Sequence, residues 1–395
     1  DQEVALGRIT LVYGPNGTGK SSLLYAPVVL RNVVLAPNSP VQSFFNLRFL
    51  NMGGLPEVAH NHDPRNEIEL GISCQEEGVR VEYRVAFREP SAGTLTFSFE
   101  WERDGTEPVA RTVRLDVAFP YPGNQHADSW VPVAGGEVPL VWNGFTWSPS
   151  AQVPPDAAGM VGRLIRRLNS PVERLRRTAL VPVVRGFSQP QYSPVPVTTA
   201  PLTQEELASL LATDRDLEYR VAHHLEKLTG RDLRVRPQLG TSVFTLDSVD
   251  RDTGFGVSLV NDGFGTSQLV YMLALSLWRE SELVCIEEPE IHLHPGAIRK
   301  LARALAEIAR DDDRRFLIST HSEPLVVAFL SLVAKGELKP DDLACYLAVR
   351  EGRVTRFEPQ TVNEYGQVEG GLRTFMEGEL DEIKAFLGLR VQARE

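Results

Sequence analysis

Apolar and polar positions divide this chain into three kinds of text. Near the start, residues 3–6 and 9–13 are short apolar β-rich runs separated by Gly7, and the second runs into a glycine as a buried central strand does. A helical stretch follows over 21–35, and Pro27 inside it removes one backbone bond, which predicts a kink or a split. From 67 to about 117 the pattern changes to strict alternation, as in 68–72, 79–83 and 95–99, the period of sheets with one wet face. Glycine- and proline-rich text over 120–156 reads as loops. Helical segments are predicted at 157–179 and 203–229, joined by an extended proline-rich stretch at 181–201.

After residue 256 the text turns to strand–helix–strand, with helices over 269–279 and 296–310 and strands over 283–286 and 316–319. Such alternation marks a parallel sheet covered by helices. The expected fold class is therefore α/β, with two halves of one sheet flanking a long insertion. The predicted division is 1–66 for the N-terminal half of the core, 67–150 for an inserted antiparallel β lobe, 151–255 for a helical arm and 256–395 for the C-terminal half with a short extension. Neither heptads nor internal repeats interrupt this reading.

Composition changes the picture little. The 395 residues are 42% hydrophobic and 24% charged, ordinary for a globular chain able to bury a core without staples. No apolar run is long enough to span a bilayer, and no secretory signal is visible, so the expected location is the cytoplasm. The chain begins at Asp1 without a methionine, and a further N-terminal segment is expected before it. Three scattered cysteines, Cys74, Cys285 and Cys345, fit a reducing compartment. The net charge of −11 argues against a basic coat, although a local patch for nucleic acid remains compatible with it.

The chemistry is concentrated in four short pieces. Gly14-Pro15-Asn16-Gly17-Thr18-Gly19-Lys20-Ser21 has the full spacing of a phosphate-binding P-loop, after an apolar strand and before a helix. Its glycines let successive backbone N–H groups turn toward phosphate oxygens, and the helix start adds a favourable dipole. Lys20 is the residue for the β- and γ-phosphates, and the Ser21 hydroxyl is a ligand for Mg²⁺. The run from Leu283 to Glu290 is an apolar strand ending in carboxylates. The first, Glu287, suits the metal's hydration shell, and Glu288 suits the orientation or deprotonation of an attacking water.

The third piece, residues 261–268, offers small residues at a helix start, a second surface for anions. The fourth, residues 316–321, is a strand ending at His321, which can donate to a γ-phosphate.

In this order the four pieces resemble the ABC ATPase superfamily: P-loop, signature, extended Walker B and switch histidine. The Glu287-Glu288-Pro289-Glu290 run followed by His292-Leu293-His294-Pro295 is most similar to the SMC, RecF and OLD-like group, and within it to stand-alone ATPases. The resemblance implies an ATPase-head fold that binds ATP and Mg²⁺ through Asn16 to Ser22, with Ser21 and Glu287 on the metal. It implies catalytic roles for Lys20, Glu288 and His321, a D-loop at 291–294, and a signature in which Gly265, Thr266 and Ser267 complete the partner subunit's site. The signature departs from the transporter form Leu-Ser-Gly-Gly-Gln, which leaves open which of the three meets phosphate. Residues 50–63 resemble the exit from the core toward the arm, with His60 the candidate for the Q-loop role. The stretches 181–192 and 342–387 also resemble stand-alone members, and no Toprim nuclease domain is expected.

The resemblance further implies a head-to-tail homodimer around two ATP·Mg²⁺, coupled to DNA transactions in repair or phage defence. The rival is a low-turnover ATP sensor that governs a separate effector protein such as a nuclease or toxin. A transporter subunit fits less well because of the signature, and a GTPase because an Asn-Lys-x-Asp guanine reader is missing. Two other features carry competing readings. The His292-x-His294 pair admits a zinc or copper site as well as the D-loop role. Arg163, Arg166, Arg167, Arg174, Arg176 and Arg177 form a basic cluster for a phosphate backbone, or else a helix face paired with acids.

Overall fold

The computed structural model describes residues 2–89, 91–101, 109–133, 136–150, 158–369 and 371. These fall into two compact units, and the first comprises residues 1–24, 181–197 and 203–395.

In the first unit, strands β1 (Ile9–Tyr13), β2 (Arg231–Pro237), β3 (Phe244–Asp250), β4 (Gly256–Ser258), β5 (Leu283–Glu287), β6 (Arg315–Thr320), β7 (Leu343–Glu351) and β8 (Val354–Gln360) alternate with helices. The helices are α1 (Lys20–Leu35, whose first turn belongs here), α2 (Gln204–Thr213), α3 (Arg215–Thr229), α4 (Phe264–Leu277), α5 (Pro295–Asp311) and α6 (Glu323–Ala334). Five strands lie side by side in the order β8-β7-β1-β6-β5. The pairs β1–β7, β1–β6 and β5–β6 are parallel, with Ile9 opposite both Phe316 and Leu343, whereas β8 returns antiparallel on β7. Every residue of β1 and β5 is buried, as expected of parallel strands covered on both faces. The remaining three strands, β2-β3-β4, form a small antiparallel sheet.

The helices follow their sequences closely. On α5 the buried positions Ile298, Leu301, Ala302, Leu305, Ile308 and Ala309 recur at three and four residues, one stripe of a 3.6-residue period. Helix α4 is buried along its whole length from Ser267 to Leu277. The expected single helix over 203–229 is two. Thr203 and Glu206 form a capping box on α2, and Asp214 ends that helix and caps α3 through the Leu217 N–H at 3.1 Å.

Residues 3–6 are not a strand. The N–H and carbonyl of Ala5 both bond the Tyr346 hydroxyl, at 2.9 and 3.0 Å, so a phenol satisfies the backbone in place of a sheet partner. Helix α1 runs on through Pro27 without splitting.

The second unit comprises residues 25–180 and 198–202. Its strands Ile68–Glu76, Val79–Glu89, Ala92–Trp101 and Val109–Ala118 form an antiparallel meander, the β-rich pattern read from the alternation. The 120–156 region is more ordered than its glycines suggest. Ala127–Val133, Gly136–Trp142 and Trp147–Pro149 make a three-stranded antiparallel sheet. Its rings join the meander's, with Phe97 at 5.9 Å from Trp142 and 5.4 Å from Trp147 between centroids. The helix Ala158–Arg176 buries Val161, Leu164, Leu168, Val172 and Leu175, leaving Arg163 and Arg166 exposed and Arg167, Arg174 and Arg176 half-buried. Arg167 pairs with Glu77, Arg174 with Glu76 and Arg176 with Glu173, which favours the acid-paired reading of the cluster for these three.

Among the described residues, no helix is long and apolar enough to cross a membrane. The part of the 342–387 stretch beyond residue 371 lies outside the described residues.

Candidate functional site: a P-loop facing a strand of carboxylates

All of the site described here belongs to the first unit. Strand β1 delivers the chain to Gly14, whose φ of +143° places a would-be Cβ only 2.7 Å from the Ala348 carbonyl. Gly17 and Gly19 also have positive φ, +75° and +81°, which lets the loop wrap back toward the first turn of α1. Thr18 Oγ1 donates to the Pro15 carbonyl at 2.8 Å and closes the loop on itself. Lys20 is 7% exposed, and its ammonium donates to the carbonyls of Gly14 (2.8 Å) and Pro15 (2.9 Å). Burial lowers its pKa, and the charges of Glu288 and Glu290 oppose that fall. Asn16 and Ser22 are exposed at the rim.

Strand β5 ends beside this loop. Glu287 is buried, its Oε1 accepts the Ser21 hydroxyl at 2.8 Å, and its Oε2 accepts the Val183 N–H at 3.4 Å. One hydroxyl and one carboxylate make a hard-oxygen donor pair. Their 2.8 Å separation is close to the roughly 3 Å edge of an octahedron with ~2.1 Å bonds, so the pair fits Mg²⁺. No cluster of three or more His, Cys, Asp or Glu that could hold a metal ion exists among the described residues. A cation held by Ser21 and Glu287 would keep waters and phosphate oxygens as its other ligands, which is the usual habit of Mg²⁺.

Glu288 leaves the strand in a left-handed conformation, φ +42°, costly for a residue with a Cβ. Its N–H bonds the Ser319 carbonyl at 2.9 Å, and its Oε1 lies 2.9 Å from His321 Nδ1. Glu290 is buried, with Oε1 taking the Thr320 hydroxyl at 2.5 Å and Oε2 without a hydrogen-bond partner among the described residues; burial raises its pKa. Lys20, Ser21, Glu287, Glu288 and His321, read from separate stretches of sequence, thus converge at the ends of adjacent strands β1, β5 and β6.

The signature residues stand apart from this group. Helix α4 starts at Phe264, five positions earlier than its apolar run suggests, with Gly263 at φ +88° as its cap. Ser267 is buried; its hydroxyl accepts the Phe187 N–H at 2.7 Å and donates to the Phe187 carbonyl at 3.2 Å. A Cβ on Gly265 would lie 3.0 Å from the His292 carbonyl. Among the described residues, no hydrogen bond joins 265–267 to the P-loop. Exposed Phe264 faces the His292 ring at 5.8 Å, and His294 Nδ1 accepts the Gly296 N–H at 3.2 Å as the cap of α5. His60 sits exposed in a 3₁₀ turn of the second unit, where its carbonyl accepts from Asn66.

One residue of the site has no motif. Arg185 is 8% exposed and donates to the carbonyls of Pro182 (2.8 Å), Glu287 (2.7 Å) and Glu288 (2.8 Å). Burial lowers its pKa to about 10, against the pull of Glu290, Glu287 and Glu288, so it is charged at neutral pH. Only its place in the 181–192 stretch pointed toward it.

Residues 149–328 match a family model described as "AAA domain, putative AbiEii toxin, Type IV TA system". The match takes in residues 261–268, the carboxylate strand and His321. Over residues 149–328 the chain is similar to this AAA-domain family. Similar solved structures include the SMC head domain from Thermotoga maritima, with 12% identity and a TM-score of 0.38, over 90% of this chain and 92% of that one. An SMC head bound to the C-winged helix domain of ScpA gives 11% identity and a TM-score of 0.46, over 91% and 93%. The recombination mediator RecF gives 9% and 0.32, over 91% and 93%. No curated protein matches the sequence.

Proposed function

We propose that this chain is an ABC-type P-loop ATPase that binds ATP·Mg²⁺ and hydrolyses it at Glu288. The observation that carries the reading is the bond between Ser21 and Glu287, which holds two Mg²⁺-type donors together beside a P-loop lysine. Gly17, Thr18, Gly19 and Lys20 hold the phosphates, with Asn16 and Ser22 at the loop's edges. Ser21 and Glu287 hold the cation, which when bound neutralises phosphate charge. Lys20 exchanges its two loop carbonyls for phosphate oxygens. Glu288 takes the proton of the attacking water. His321 releases Glu288 to donate to the γ-phosphate, so the 2.9 Å approach of His321 to Glu288 is the resting half of that exchange.

Gly265 and Thr266 sit half-exposed at the start of α4 with Phe264 and His292 beside them, and they supply a second copy's site in a head-to-tail homodimer, with buried Ser267 holding that helix start to Phe187. That dimer acts in the cytoplasm, where Cys74, Cys285 and Cys345 stay reduced, and couples turnover to DNA transactions in repair or phage defence. A second reading is favoured by the matched family's description, which names a toxin system. In it, nucleotide-driven pairing regulates a separate effector protein and turnover is slow.

Light scattering on the wild type and Glu288→Gln, with and without ATP·Mg²⁺, tests the dimer. Mass should double only with nucleotide, most completely in the variant. Steady-state turnover in the variant should fall about 100-fold or more, the usual scale for loss of a general base. Equal turnover in both proteins would remove Glu288 from the chemistry.

A further inference from the structure

The strain at Glu288 needs something to hold it, and the carbonyls around it show what does. A residue with a Cβ adopts φ +42° at some cost and persists there only where its surroundings fix it. Here the N–H of Glu288 is fixed by the Ser319 carbonyl on β6, at 2.9 Å. On the other side the carbonyls of Glu287 and Glu288 both point at one guanidinium, that of Arg185, at 2.7 and 2.8 Å. The same guanidinium takes the Pro182 carbonyl at 2.8 Å, and the Val183 N–H takes Glu287 Oε2.

A planar fork suits this work, because it addresses several carbonyls at fixed angles, which an ammonium does not do. The position is also costly for the protein. Arg185 is 8% exposed, and among the described residues its Nε–H has no hydrogen-bond partner. A buried charge with an unmade hydrogen bond is retained where it does something packing cannot. Its Coulombic neighbours are Glu287, Glu288, Glu290 and Tyr271, so the charge is set among the same carboxylates whose backbone it grips.

We infer that Arg185 is a positioning residue for hydrolysis: it clamps the Glu287 and Glu288 carbonyls and so aims the Glu288 carboxylate out of strand β5 toward the P-loop. The inference rests on the reading of Glu288 as the general base. It makes no contact with nucleotide a requirement, since among the described residues the Arg185 guanidinium bonds main-chain oxygens. It therefore separates two quantities that a damaged P-loop would change together. Nucleotide affinity belongs to Gly14–Ser21 and survives loss of the clamp, whereas the chemical step does not.

Arg185→Ala and Arg185→Lys, with Arg303→Ala as a surface control, test this in the full chain. ATP affinity is read with a fluorescent nucleotide, turnover at saturating ATP, and amide exchange by mass spectrometry over peptides spanning 286–291. Arg185→Ala should lose about 100-fold in kcat, the scale of a misplacement near 1 Å, with affinity within about threefold of wild type. Arg185→Lys should recover part of the kcat, and would carry the comparison if the alanine variant did not fold. Exchange over 286–291 should rise by about tenfold in Arg185→Ala and stay unchanged in the control, because local opening follows loss of the local bond. A kcat within about threefold of wild type, or equal losses of affinity and kcat, overturns the inference. Should Glu288→Gln turn over ATP as the wild type does, the reading of Glu288 fails separately. The exchange arm then decides alone, and unchanged exchange in Arg185→Ala removes the clamp.

Discussion

The Ser21 hydroxyl donates to Glu287 Oε1 at 2.8 Å across 266 positions of sequence. The bond joins the first turn of α1 to the end of β5, and it leaves the carboxylate's second oxygen to the Val183 N–H. Ser21→Ala removes one of two hard-oxygen donors while leaving the P-loop glycines and Lys20 in place. The expected result is a rise of about tenfold or more in the Mg²⁺ concentration for half-maximal turnover, in the range seen when a metal ligand's support is lost. Titration of turnover against Mg²⁺ at saturating ATP checks it, and an unshifted midpoint would count against Ser21 as a ligand.

Gly19 and Thr355 make a second long-range relationship. A Cβ on Gly19 would sit 2.8 Å from Thr355 Oγ1 on β8, at a φ of +81°. Gly17 has a similar φ of +75° but open space around it. Gly17→Ala should therefore cost only the left-handed backbone term, about 1–2 kcal/mol. Gly19→Ala should cost more, and Thr355→Ala in that background should return the excess. A double-mutant cycle by chemical denaturation should give a Gly19–Thr355 coupling of about 0.5 kcal/mol or more. Equal costs at both glycines, with no recovery, would show that β8 does not brace the loop.

These two pairs show where the sequence was readable. The P-loop, the carboxylates of β5 and His321 each declare themselves within eight residues, because an apolar strand must end somewhere and the polar residues at its end are adjacent in the chain. The parallel core and the meander were readable for the same reason, as periodic text. Arg185 was not, since its meaning lies in carbonyls more than 100 positions away and nothing local distinguishes it from a surface arginine. The left-handed turn at Glu288 is invisible because glutamate carries no conformational signature. Asp214 was read through as helix because an acid in a polar stretch looks the same whether it caps or continues. The sheet in 120–150 was hidden by glycines and prolines that occupy its turns and edges.

The thiols give a prediction that does not depend on nucleotide. Cys285 lies in fully buried β5, out of reach of a reagent, and burial pushes the Cys345 thiol up to about 12, so Cys345 offers no thiolate near neutral pH. Cys74, half-buried in the Ile68–Glu76 strand, is more accessible. A chromogenic disulfide reagent should titrate one thiol quickly in the native protein and three after denaturation. Rapid labelling of Cys345 in the native state, identified by peptide mapping, would contradict its burial in the parallel sheet.

His224 sets an acid limit on stability. It lies on α3, and its Nδ1 is buried without a hydrogen-bond partner among the described residues. Burial lowers its pKa, the charges of Lys227, His223 and Arg220 lower it further, and Glu307 opposes them. The Lys227–Glu307 pair at 3.0 Å places a cation and its counter-ion beside the ring. With the folded pKa below the unfolded value of about 6.5, the neutral ring is favoured by folding. Its contribution is complete above about pH 6.5 and is lost as pH falls from there through the folded pKa, because the unfolded chain takes up the proton first. His224→Gln cannot take up that proton, so its urea midpoint should fall less steeply than wild type between about pH 7 and pH 5. Parallel curves for the two proteins over that interval would mean that acid acts on the fold through other groups.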